Sequence, residues 1–133
     1  LFAGACLSAV ALALGLPMAA DTCLHPWDER FHALVARNLL SHLATPTLVE
    51  APVGAASLDW MRAHVWLHKP PLSLWLMALS RGAFGAGELA LRLPSLVLHA
   101  CAVFACARLG PALFGDDERG RAIGLWAACL LAI

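Results

Sequence analysis

Charge is scarce in this 133-residue sequence. Only 14% of its residues are Asp, Glu, Lys or Arg, and the formal net charge is zero. Electrostatic nucleic-acid binding needs a basic excess, and disorder needs low hydrophobicity with high net charge, so both classes are excluded. Lysine is almost missing, since Lys69 is the only one. The five cysteines show no C-x-x-C or finger-type spacing, so neither a zinc finger nor a disulfide framework is read from them. Cys6, Cys101, Cys106 and Cys129 lie in apolar stretches, where Cys acts as a small hydrophobe. Cys23 lies in a polar segment with no obvious partner. There is no internal repeat and no low-complexity tract. What is abundant is apolar surface: 61% of residues are hydrophobic, which favours a membrane protein. The chain opens on Leu1 and closes on the apolar run LWAACLLAI, and it reads as a segment cut inside helices at both ends.

Residues 1–20, LFAGACLSAVALALGLPMAA, carry no charge and suffice for one bilayer crossing, which takes about 20 apolar residues. A secretory signal with small residues near Ala20 is the rival reading. The apolar segments that follow favour an anchored helix. In DERFHALVARNLLSHL, residues 28–43, Phe31, Leu34, Val35 and Leu39 share one helical face, while Arg30, Arg37, Asn38 and Ser41 fall mostly away from it. Pro26 precedes this helix and Asp28 is positioned to cap it. ATPTLVEAPVGAAS, residues 44–57, reads as a loop. PPLSLWLMALSRGAFG, residues 70–85, is too short to span and reads as an interfacial or re-entrant helix, with Pro71 in its first turn, Trp75 at headgroup level and Gly82 and Gly85 at its end. A second crossing is expected at 88–113. Arg92 and Arg108 bracket it, separated by about 24 Å at the helical rise, and both could snorkel. GDDERGR, 115–121, is a charged turn, and 122–133 begins a third crossing. Arg108, Arg119 and Arg121 beside the short turn suggest a cytoplasmic turn, which leaves 21–87 as an extracytoplasmic loop.

Three clusters in that loop could carry chemistry. Asp28 and Glu29 are adjacent, so on a helix they point about 100° apart and cannot face one atom alike. They are either an N-cap and a first-turn acid, both favoured by the helix dipole, or a general base with a supporting carboxylate. His64 and His68 stand at i, i+4, which on a helix would let them share a divalent metal, although Pro70 and Pro71 resist helix there. Lys69 lies between His68 and the two prolines at the start of the interfacial helix. It is either a snorkelling side chain or, with the helix N-terminus, a phosphate site. Glu88 and Arg92 form an i, i+4 pair, or Arg92 joins Lys69 in neutralising a phosphate. His99, mid-span, must face protein rather than lipid.

The ordered set WDERFHALVARNLL, HKPPLSLWLMALSRGAFG and ELALRLPSL, over about residues 20–115, resembles the N-terminal part of the GT-C glycosyltransferases of the protein O-mannosyltransferase and aminoarabinose-transferase type. In that family a first transmembrane helix leads to an outer loop with an Asp-Glu pair, an amphipathic juxtamembrane helix, a Lys-Pro-Pro-Leu turn, a short Trp-containing helix and an Arg-Leu-Pro at the next crossing. The resemblance implies an all-α polytopic membrane fold in which residues 1–133 form the N-terminal part of one membrane domain.

It also implies an inverting transferase that moves a sugar from a polyprenyl-phosphate carrier to a lipid, glycan or protein acceptor outside the cytoplasm. By that resemblance Asp28 acts near the acceptor, Lys69 lies near the carrier phosphate, and Glu29 is the second acid. The family commonly has Asp or Glu before the lysine. Here it is His68, itself able to ligate a metal. Arg92, as above, is a further candidate for substrate phosphate. The alternative function is a non-enzymatic transport or scaffold segment whose outer loop binds lipid, which explains the helices but not the order of the acid pair, lysine turn and arginine.

Overall fold

The computed structural model describes residues 2–49 and 64–133. These form five helices: α1 (Phe2–Ala19), α2 (Asp28–Leu39), α3 (Pro71–Phe84), α4 (Glu88–Phe114) and α5 (Glu118–Ala132). Extended pairing among the described residues is limited to one antiparallel bridge, Thr47 to Val65. The all-helical expectation therefore holds for the described residues. Two units are distinguished, Leu1–Ala20 with Ser95–Ile133, and Asp21–Pro94.

In the first unit, α1 and α4 are long and apolar enough to cross a membrane. Their large side chains face outward: Leu14 is 56% exposed and Leu98 is 54% exposed, a surface suited to lipid. The buried residues are small. Ala11, Ala107, Ala128 and Ala132 pack around Val103. A Cβ added at Gly4 would come within 3.1 Å of the Ala107 methyl. Ser8 donates its hydroxyl to the carbonyls of Gly4 (3.1 Å) and Ala100 (2.9 Å). On α5, Gly120, Gly124, Ala128 and Ala132 are buried at four-residue spacing. Close backbone approach through small residues does this packing, the mode that suits helices in lipid, where there is no hydrophobic drive between them. Gly110 shows how close: a Cβ there would strike the backbone of Gly124 and the carbonyl of Gly120. The expected charged turn is found after α4, and Asp117 caps α5 by accepting from the Gly120 N–H at 2.8 Å. Helix α5 starts at Glu118, before the expected 122, and has 15 residues. His99 is half-buried.

In the second unit, α2 packs on α3. The predicted face of α2 is the packed one: Val35 and Leu39 are fully buried, and Phe31 and Leu34 lie against the same cluster with Trp66, Leu74, Ala78 and Leu91. Three expectations need correction. Helix α2 ends at Leu39, because the Leu40 and Ser41 N–H groups turn back to the Arg37 and Asn38 carbonyls in a tightened last turn. Asp28 is not the cap. Trp27 occupies that position at φ +78° with no side-chain capping bond, a left-handed backbone costing a bulky residue about 1–3 kcal/mol. And Asn38 is buried, not turned away. Its amide donates to the carbonyls of Thr47 (2.9 Å) and Leu48 (3.3 Å), tying the segment after α2 down onto the helix. Asn38→Ala should therefore lower stability by about 1–3 kcal/mol by stranding two carbonyls, read as a fall in Tm of the detergent-solubilised protein; an unchanged Tm would contradict this role.

Helix α3 begins with Pro71 at its first position, and Gly85, at φ +96°, closes it by donating to the Arg81 carbonyl at 2.9 Å. Gly82 lies inside the helix rather than at its end. The Trp75 indole donates to the Leu43 carbonyl at 3.1 Å. Of the loop expected at 44–57, residues 50–57 lie outside the described residues.

Candidate functional site

The candidate residues meet in the second unit, where α2 and α3 begin. Asp28 is the first residue of α2, and Lys69 lies two residues before the first residue of α3. Their side chains pair at 3.2 Å, with Lys69 37% and Asp28 58% exposed. The pair is thus reachable from solvent while each partner stands at a helix N-terminus, where unpaired N–H groups and the helix dipole favour negative charge.

Glu29 takes a different partner, as the angular offset between adjacent helical positions requires. Its carboxylate accepts from Nε of Arg92 and, at 3.0 Å, from Nη2 of Arg92. It also accepts the His25 N–H at 2.6 Å. Arg92 donates further from Nη1 to the Asp21 carbonyl and from Nη2 to the Cys23 carbonyl at 2.7 Å. One guanidinium therefore binds the segment entering α2 to the first turns of α4. Spacing pointed to Glu88 as the partner of Arg92; the bidentate partner is Glu29, 63 residues away. The Arg92 hydrogen bonds hold the Glu29 carboxyl below the usual glutamate range, against an opposing push from burial. Glu29 is therefore an anion near neutral pH, and its hydrogen bonds tie the segment entering α2 to α4.

Behind the Asp28–Lys69 pair lies an aromatic layer. Trp66 is fully buried, and its indole meets the His32 ring edge-on at 5.6 Å and the His68 ring at 5.7 Å. His64 donates Nδ1–H to the Val49 carbonyl at 2.7 Å. Residues 64–70 are not helical, so the i, i+4 argument that placed His64 and His68 on one side does not apply; Pro70 and Pro71 account for this. Among the described residues no three His, Cys, Asp or Glu side chains gather as a metal site. His64 is tied to a carbonyl and His68 lies against an indole.

Sequence reasoning passed over His32, although it stands one helical turn from Asp28. Its Nε2 is buried without a hydrogen-bond partner among the described residues. Burial pushes the His32 imidazole below the ordinary histidine range, with the Asp28 charge opposing and the Lys69 and His68 charges assisting. A histidine whose folded-state pKa is depressed contributes stability that is complete above the unfolded value of 6.5 and is lost as pH falls below it. Stability should decline on acidification below about 6.5, and His32→Phe should flatten that decline in Tm measured against pH; an unaltered slope would remove His32 from the titration.

Compared with known proteins, the chain matches no family model, no curated protein and no solved structure.

Proposed function

We propose that this chain carries the phosphate-binding and base groups of a multi-pass membrane glycosyltransferase of GT-C type, which moves a sugar from a polyprenyl-phosphate carrier to an acceptor outside the cytoplasm. The observation that supports it is the meeting of the chain's single lysine with Asp28, 3.2 Å apart, at the starts of two helices. Two helices long and apolar enough to cross a membrane support the membrane setting. The arginines near the short turn between α4 and α5 favour a cytoplasmic turn, with residues 21–87 outside the inner (plasma) membrane.

In the resting protein Asp28 neutralises Lys69. An arriving carrier phosphate competes for the ammonium, favoured by the N-terminus of α3, and frees the Asp28 carboxylate. The acceptor oxygen or nitrogen then bonds to the anomeric carbon from the face opposite the phosphate. The carbon–oxygen bond to phosphate breaks, its electron pair leaves with the phosphate, and the acceptor proton passes to Asp28. Lys69 stabilises the charge growing on the departing oxygen, where one such donor is typically worth about 3–4 kcal/mol. The anomeric configuration inverts. Glu29 and Arg92 hold the loop that presents Asp28.

The direct Asp28–Lys69 contact also suits a second reading, in which the pair is structural and the outer loop of a transport or scaffold protein only binds lipid. Reconstitution separates the two. With the complete protein in vesicles containing a polyprenyl-phosphate sugar, the donor should be consumed and the released or transferred sugar should carry the inverted configuration. Donor that binds without turnover supports the second reading, and donor that neither binds nor reacts defeats the enzyme assignment.

A further inference from the structure

A cleft within the first unit shares no residue with that reaction. It lies among the start of α1, the end of α4 and the start of α5, and holds about 350 Å³. Arg108, Arg121 and Asp116 line its polar side, and Gly4, Ala107 and Leu125 line its apolar side. Arg121 is held in place: its Nε meets the Asp116 carboxylate at 3.1 Å and its Nη2 donates to the Asp116 carbonyl at 2.9 Å. Asp116 is thereby spent on Arg121. The neighbouring Asp117 accepts the Gly120 N–H and is not part of the cleft lining. Arg108, in the last turns of α4, makes no hydrogen bond or ion pair within the described residues, so the charged side chains lining the cleft are two guanidiniums and one carboxylate, with the second guanidinium unpaired.

We propose that this cleft binds a phosphate-bearing anion, with Arg108 as its principal ligand, Arg121 as the oriented second cation and the small-residue wall receiving the apolar part. A guanidinium presents paired donors that match phosphate oxygens. Basic pockets between membrane helices at the water boundary suit lipid headgroups, and a free phosphate would satisfy the same donors. An amphiphile fits best, because apolar lining residues in the same cleft as two guanidiniums add nothing to the binding of a fully hydrated ion. The inference is independent of the sugar-transfer reading, since no residue is shared.

The test uses the complete protein in detergent, with bound lipid counted by native mass spectrometry. Dioleoylphosphatidylglycerol is compared with dioleoylglycerol, which has the same tails and no phosphate, on the unaltered protein. Retention of the phospholipid should exceed that of dioleoylglycerol by about tenfold or more, the scale of one charge-assisted hydrogen bond. Arg108→Gln should remove most of that preference and Arg108→Lys less of it. Arg30→Gln, which deletes an equal charge from the exposed side of α2, should leave it intact. Inorganic phosphate in the millimolar range identifies the source: failure to displace the lipid marks a headgroup site, and displacement with binding of phosphate itself marks a free-anion site, both within the proposal. Equal retention of the two lipids together with no phosphate binding overturns it. So does an Arg30→Gln loss as large as that of Arg108→Gln.

Discussion

Asp28→Asn is expected to reduce sugar-transfer turnover by about 10²–10⁴-fold, the usual contribution of a positioned general base. Carrier binding should survive, because Lys69 loses only a partner that the phosphate would displace. Lys69→Ala should reduce turnover by about 10²–10³-fold, the cost of one donor aimed at a developing oxyanion. Unlike Asp28→Asn, it should also weaken the carrier's hold. Both effects should be far larger than any change in stability, since the pair is substantially exposed and an ion pair of that kind contributes at most about 1 kcal/mol. The double variant should be only slightly worse than the more damaging single one, because groups that serve one transition state are not additive. Single-turnover transfer rates and Tm values, measured on the same preparations, decide the matter. Lower Tm with normal transfer would make the pair a structural bridge.

The largest stability loss is expected at Arg92. Its guanidinium donates to both Glu29 oxygens and to the Asp21 and Cys23 carbonyls, and it is only 14% exposed. Arg92→Gln should cost about 2–3 kcal/mol, less than the roughly 3–5 kcal/mol of a fully buried pair because both groups keep some water. Arg92→Lys should recover little, as a point charge cannot serve the fork of acceptors. Acid titration provides an independent check. Glu29 has a depressed folded-state pKa, so its contribution is complete above the unfolded value of 4.5 and is lost as pH falls below it. Without Arg92, that acid-side loss should shrink. Denaturant unfolding followed at pH 7 and pH 4 measures both effects, and equal losses at the two pH values would argue against the linkage.

Much of the architecture was legible because periodicity and length carry it. The face of α2, the proline start of α3 and the apolar lengths of α1 and α4 follow from local spacing, and the structure bears them out. The failures share one cause, which is that long-range partners override local rules. Asp28 has the identity of a cap, but its carboxylate is drawn to Lys69 and the cap falls to Trp27. Arg92 has a partner four residues away by spacing and bonds to one 63 residues away. Asn38 is polar at the margin of an apolar stripe, and only the returning segment at Thr47 and Leu48 explains its burial. The resemblance assigns Asp28 to the acceptor and Lys69 to the carrier phosphate; that the two side chains pair directly is seen only in the structure. His32 could have been found from its four-residue distance to Asp28.

Gly110 and Gly124 leave no room for a side chain between α4 and α5. Where two helices touch main chain to main chain, their spacing is fixed by peptide geometry and not by the connector. Of the three residues joining them, Asp116 holds Arg121 and Asp117 caps α5, but the close approach of the helices does not depend on the connector's length. A spacer of flexible residues inserted after Gly115 should leave the hairpin assembled, whereas a single methyl added at Gly110 should pry it apart.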